Sequence, residues 1–343
     1  MTEPREPRLV ARWDLDKTYL RTEFDTVRDL IRTAVERPDR KRSVPGAAAL
    51  LRELRKAGAR IHILSGSPRQ MRGRLEEKLA IDRVRYDELT LKPNLSNALR
   101  LRFRAMRDQL GYKLPNLLDA RARDQTLVSR PSELSEILVG DDAEADAFVY
   151  SLYADICGGK VDKSLLERVL HQGRVYEDQA ELALSALERI DKAPVAGRIL
   201  IHLDRQTSPI RFREYGQRVV PFYNYFQAAI VLGEDGWVEP TAVLRVASEL
   251  VEQHRFDADA LVRSCLELVR RGHSNGSLLG GLGGALRELE GRLPTLTELE
   301  RAVAELSAAG PVEANPGPVD PPLDYLELAG RHRGGKNRRR PGR

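Results

Sequence analysis

The chain alternates short apolar runs with longer stretches in which apolar positions recur every three to four residues. LVARW (9–13) reads as a buried strand ending on polar Asp14, RIHILSG (60–66) as a second, EILVGDD (136–142) as a third and AGRILIHLD (196–204) as a fourth. Between them FDTVRDLIRTAVER (24–37) has helical period. VPGAAALLRELRKAG (44–58) reads as a helix with Pro45 in its first turn and Gly58 as its stop, PRQMRGRLEEKLA (68–80) as another, and 96–110 and 113–122 as two more. DELTL, just before Lys92, is a candidate short strand. Strands alternating with helices predict an α/β fold, a doubly wound, mostly parallel Rossmann-like sheet with helices on both faces. Ligands in such sheets bind beyond the carboxyl ends of strands, near the point where strand order reverses. That rule singles out Asp14, Ser65 and Asp141.

From about residue 206 no further strand is evident. PFYNYFQAAIVL, TAVLRVASELVEQH, DADALVRSCLELVRR and TLTELERAVAEL have helical spacing, the last opening on a Thr295/Glu298 capping box. The expected organisation is a core over 1–205, a helical appendage over 206–310 and a disordered tail over 311–343, Pro-rich and then basic. A hydrophobic share of 41% can build a sizeable core, and 31% charged residues predict a soluble chain. The N-terminus lacks a signal-like apolar segment, and no apolar run nears the roughly 18 residues of a membrane span. The chain is therefore expected to be cytoplasmic, without a transmembrane segment. Cys157 and Cys265, with no C-x-x-C, argue against a disulfide framework, a zinc ribbon or an iron–sulfur cluster. The net charge of +5 is unevenly spread. Residues 1–130 carry 30 Lys and Arg against 18 Asp and Glu, residues 131–330 carry 19 against 33, and the last thirteen carry 7 against none. Basicity is thus local, and a basic tail can tether the chain to an anionic membrane or to nucleic acid.

Three strand ends carry chemistry. Asp14-Leu15-Asp16-Lys17-Thr18 places two carboxylates where a strand meets its loop; one can attack phosphorus and the other can exchange the proton. An acidic turn is the bland alternative. Ser65-Gly66-Ser67-Pro68 offers a hydroxyl and backbone N–H groups leading into a helix, suited to phosphate oxygens or to ordinary capping. Gly140-Asp141-Asp142, with Asp146, clusters carboxylates suited to Mg²⁺ or to a helix N-terminus.

In this order, the three motifs resemble the haloacid dehalogenase superfamily of phosphohydrolases. The resemblance implies Asp14 as nucleophile, Asp16 as acid/base and Ser65 holding the phosphoryl group, with Thr18, Gly66 and Ser67 binding the substrate. It implies Mg²⁺ at Asp14, the Asp16 carbonyl and Asp141, assisted by Asp142 or Asp146. It also implies a lysine, for which Lys113, opening a helix before the acidic strand, is preferred to Lys92. Within the superfamily, the PG before the second strand, the S-x-S-P turn and GD…D…Y (Gly140, Asp146, Tyr150) are similar to the actin-patch phosphatidate phosphatases. Here, however, the first motif reads D-L-D-K-T, and Arg69 replaces the usual aromatic. The implied activity is hydrolysis of a phosphomonoester, with a phosphatidate-like lipid first among substrates. A nucleic acid end, a phosphoprotein, or a non-catalytic lipid-sensing role of the same fold are the alternatives. The inter-motif gaps are too short for a large cap domain, which implies an open site unless the helices after 206 roof it. Arg69 and its neighbours Arg72 and Arg74 are candidates for a second anionic group. Gly280–Gly284 reads as a helix connection, His62 and His202 as packing, and Phe222, Tyr223, Tyr225 and Phe226 as core.

Overall fold

The computed structural model describes residues 9–21, 42–92, 106–143, 145–195, 197–289, 296–308 and 314–334. The helix expected over 24–37, and 96–105 of another, lie outside these. Six strands, β1 (Leu9–Asp14), β2 (Arg60–Pro68), β3 (Glu88–Lys92), β4 (Ser135–Asp141), β5 (Ile199–His202) and β6 (Val219–Phe222), form one sheet in the order β3-β2-β1-β4-β5-β6. Every neighbouring pair is parallel. The strands read as apolar runs because both faces are covered. The winding reverses between β1 and β4, so the ends of these two strands and β2 border the switch point.

Side chains alternate between two cores. Ala11, Trp13, Ile61, Ile63 and Val139 face one layer, which holds α1 (Ala47–Lys56), α2 (Arg72–Ile81), α7 (Tyr225–Glu234), α8 (Pro240–His254), α9 (Ala258–Arg263), α10 (Cys265–Arg270), α11 (Ser277–Glu288) and α12 (Leu296–Ala308). Leu64, Leu138, Ile199 and Ile201 face the other, which holds α3 (Met106–Asp124), α4 (Asp146–Cys157), α5 (Lys163–Gln172), α6 (Glu177–Glu188) and α13 (Tyr325–Gly334). Among the described residues no helix is long and apolar enough to cross a membrane.

Four expectations are corrected. The segment 206–310 is not wholly helical, because Val219–Phe222 is the sixth strand. Pro221 masks it in the sequence, yet proline is tolerated on an edge strand that need not donate. The helices that follow share one core with β1 and β2. The tail is ordered over 314–334: Tyr325, Leu328 and Ala329 bury a small apolar face, and the Tyr325 hydroxyl and Arg218 both bond Asp155. Residues 335–343, the basic end, lie outside the described residues. The two helices expected around Gly111 are one, Met106–Asp124; that glycine admits Gln179 of α6, whose Oε1 would lie 2.0 Å from an added Cβ. Likewise Gly280–Gly284 lies inside α11, where Leu278, Leu282, Ala285, Leu286 and Leu289 keep a helical apolar stripe.

Arg12, on β1, is buried with its charge. Its Nε lies 2.5 Å from Glu136 Oε2, its Nη2 2.9 Å from Asp124 Oδ2, and Arg121 Nη1 is 2.7 Å from Glu136 Oε1. Burial alone would raise the Glu136 carboxyl, but Arg12 and then Arg121 hold it at about 2. A depressed carboxylate contributes stability above its ordinary value of 4.5, and that contribution fades as pH falls toward 2. Glu136→Gln, which leaves buried Arg121 without a carboxylate and Arg12 with Asp124 alone, is expected to cost about 3–5 kcal/mol in urea unfolding at pH 7. It should also flatten the loss of stability between pH 4.5 and 2; a variant as acid-sensitive as the wild type would contradict this assignment.

Candidate active site

The β1 strand delivers Asp14 to the sheet edge on the same face as Arg12, and the chain then turns sharply. Lys17 adopts a left-handed φ of 61°, and Lys17 N donates to Leu20 O at 2.8 Å. This turn returns Thr18 over the strand end, where its Oγ1 donates to Asp14 Oδ2 at 3.3 Å. On β2 the register with β3 slips between Ser65 and Pro68, so Gly66 and Ser67 bulge out of the ladder. Bulges re-aim side chains; here Ser65 Oγ donates to Asp16 Oδ2 at 3.1 Å and accepts from Ser67 N at 3.0 Å. A 3-10 turn, Arg69–Met71, separates the bulge from α2.

Helix α3 brings the cation. Lys113 Nζ lies 3.0 Å from Asp14 Oδ1 and also bonds Asp146 Oδ1. Asp146 opens α4 and turns back over β4, where its Oδ2 accepts from Asp141 N at 3.0 Å. Gly140 permits that approach: a Cβ there would stand 2.2 Å from Asp146 Oδ2. Next to Lys113, the Tyr112 hydroxyl donates to Ser65 O at 2.8 Å. Burial, then Asp14, raise this phenol, so it acts as a neutral donor.

The structure therefore brings together Asp14, Asp16, Thr18, Ser65, Ser67, Lys113, Asp141 and Asp146, all at most 8% exposed. Lys92 stands at the end of β3 with Nζ 4.9 Å from the Tyr112 ring centre. Arg69 is exposed beyond, where its charge acts on Tyr112. Asp142 turns away: its two oxygens accept from Arg205 N and Thr207 N at 2.8 and 2.9 Å, in the loop after β5. Arg72 and Arg74 belong to α2, with Arg72 engaged by Glu76 and Leu89 O.

Tyr112 was not among the sequence candidates; its only signal is its place beside Lys113. Tyr223, read as core with its neighbours, is instead exposed at the end of β6, whereas Tyr225 and His202 are buried and also brace the site. The Tyr225 hydroxyl donates to Thr18 O at 2.6 Å, its ring stacks on Trp13 and His202, and His202 Nδ1 meets Lys17 O at 3.1 Å. Burial lowers His202, keeping the imidazole neutral. Tyr225 belongs to α7, so the helices after β6 do close one side of the β1 turn.

One oxygen each from Asp14, Asp141 and Asp146 lies within 4.8 Å of the others. Three hard oxygen donors are a set that Mg²⁺ accepts, and buried carboxylates in excess of their ammonium partners favour a cation. No family model, curated protein or solved structure matches the chain.

Millimolar Mg²⁺ is expected to raise the melting temperature of the EDTA-treated protein. The stabilisation should reach about 1.4 kcal/mol when the ion is at ten times its Kd. Asp141→Asn should weaken that response by roughly tenfold in ion concentration. A wild type indifferent to Mg²⁺ in calorimetry and in melting would remove the metal from this site.

Proposed function

We propose that the chain is a Mg²⁺-dependent phosphohydrolase that cleaves a phosphomonoester through an aspartyl-phosphate on Asp14, and that it belongs with the haloacid dehalogenase phosphatases its motifs resemble. The observation that carries this reading is the different setting of two neighbouring carboxylates at the switch point. Asp14 is held by Lys113 and Thr18, whereas Asp16, the least buried of the acids at 8% exposure, is held by Ser65.

Lys113 and Thr18 fix the Asp14 carboxylate so that one oxygen attacks phosphorus in line. The bond from phosphorus to the leaving oxygen breaks, and that oxygen takes a proton from Asp16. The Ser65 hydroxyl and the Lys113 ammonium receive the phosphoryl oxygens in a water-poor setting, where such contacts are strongest. In the second half, Asp16 takes a proton from water as its oxygen bonds phosphorus, the Asp14–phosphorus bond breaks, and both carboxyl groups return to their starting states. Asp146 holds Lys113, and Tyr112 holds the backbone of Ser65, so both position rather than react. Bound at Asp14, Asp141 and Asp146, Mg²⁺ would offset carboxylate charge and polarise the phosphoryl oxygens.

A phosphatidate-like lipid is the leading substrate, on the strength of the Ser65–Pro68 turn and the Gly140–Tyr150 motif; a nucleic acid end or phosphoprotein is the alternative. The test is phosphate release from p-nitrophenyl phosphate and from lipid, nucleotide and phosphopeptide substrates, with Mg²⁺ and with EDTA. Asp14→Asn should lower turnover by on the order of 10³-fold or more, and Asp16→Asn by roughly 10²–10⁴-fold. Full activity in Asp14→Asn, or in EDTA, would overturn the mechanism.

A further inference from the structure

A concavity of about 800 Å³ lies apart from these residues, walled by the chain on either side of α1's start and by the ends of α2 and α8. Its two carboxylates are already engaged. Asp82 takes Lys78 Nζ at 2.7 Å, Ser43 Oγ at 2.6 Å and the Tyr19 hydroxyl at 2.5 Å, and Glu249 is paired with Arg52. Four further guanidiniums line the same space: Arg21, Arg42, Arg83 and Arg255. Among the described residues none of the four has a carboxylate within ion-pair distance, and all four are exposed.

Several like charges around one concavity raise the potential inside it and concentrate anions there. The carbonyl ends of α2 and α8 oppose this with about half a charge each, too little to cancel four guanidiniums. The arginine fork matches phosphate oxygens in pairs. Cations contributed by four separate parts of the chain suit a ligand with more than one anionic group. The volume falls within the roughly 300–1,000 Å³ of small-molecule sites, which favours a compact ligand over a polymer. Ile81 and Phe256 add apolar wall for its organic part.

We propose that this cleft binds a small polyphosphorylated ligand, one presenting at least two phosphate groups, through Arg21, Arg42, Arg83 and Arg255. None of the candidate active-site residues lines it, so the inference stands independently of the phosphohydrolase reading.

The test is titration of the full chain, in EDTA, with inorganic tripolyphosphate by calorimetry. A parallel arm sediments the protein with phosphatidylcholine vesicles with and without a phosphatidylinositol bisphosphate. Arg21→Gln/Arg255→Gln should weaken saturable binding about tenfold or more. Arg168→Gln/Arg211→Gln, the same charge change at exposed positions elsewhere, should alter it less than about twofold. The basic C-terminal end is unchanged in both, so its contribution cancels, and melting curves confirm that each variant folds. Tripolyphosphate binding lost in the first pair supports a soluble ligand, and vesicle binding lost in the first pair supports a lipid headgroup. Absence of saturable binding in both arms, or equal weakening by the two pairs, overturns the proposal.

Discussion

Carboxylates gathered in a buried space repel one another and lose their hydration, so the strand ends hold together only through the cations that reach them. Lys113 is the central one. Its ammonium contacts Asp14 from β1 and Asp146 from α4 at once, so a single charge fixes how α3 lies against two other elements. Eight residues further along α3, about 12 Å at 1.5 Å per residue, Arg121 repeats the device on Glu136 of β4. A helix pinned at two levels by buried ions resists sliding more than one held by leucines alone, because either contact, once broken, strands a charge. The position of Lys113 is therefore a property of the whole sheet face.

Backbone geometry supplies the rest of the precision. The left-handed Lys17, the bulge at Gly66 and Ser67, and the missing side chain at Gly140 each serve one strand end. Each brings a polar group closer than a regular element would allow. Without the turn at Lys17, Thr18 would continue away from Asp14; with any side chain at residue 140, the Asp146 carboxylate would be pushed off β4 and lose both Asp141 N and Lys113.

Much of this was legible in the sequence for a physical reason. Strands of a parallel sheet are buried on both faces, so β1, β2, β4 and β5 announce themselves as apolar runs, and their polar terminal residues border the candidate site. What the sequence could not separate were residues whose roles depend on where a short loop turns. Asp142 and Asp146 are both acids after β4, yet one caps backbone N–H groups after β5 and the other holds Lys113. β6 was hidden because Val-Val-Pro-Phe runs straight into the aromatic start of α7. The order of 314–334 was hidden because proline-rich composition speaks of the free chain, whereas Tyr325 finds Asp155 only in the folded one. Tyr112 carries no motif; its use comes from the helix phase that also aims Lys113.

Two buried ionic clusters lie on the same sheet face, and their contrast bears on the proposed chemistry. Behind the site, Arg12 and Arg121 face Glu136 and Asp124, two against two, with the Tyr153 hydroxyl donating to Glu136 at 2.7 Å. His62 beside them is kept neutral by burial and by Arg12. The charges of these four buried side chains balance, and half-buried Arg60 adds a contact to Asp124 at 3.8 Å. At the strand ends, four buried acids, Asp14, Asp16, Asp141 and Asp146, gather beside two buried ammoniums, Lys113 and Lys92, so that even with Asp16 protonated the carboxylates are in excess. A cluster maintained only for folding would gain by replacing the surplus acids with neutral residues, since an unbalanced buried charge is costly. The surplus becomes favourable when a cation and a reacting group complete the site, and that asymmetry is what makes these carboxylates candidates for chemistry and their neighbours behind them candidates for support.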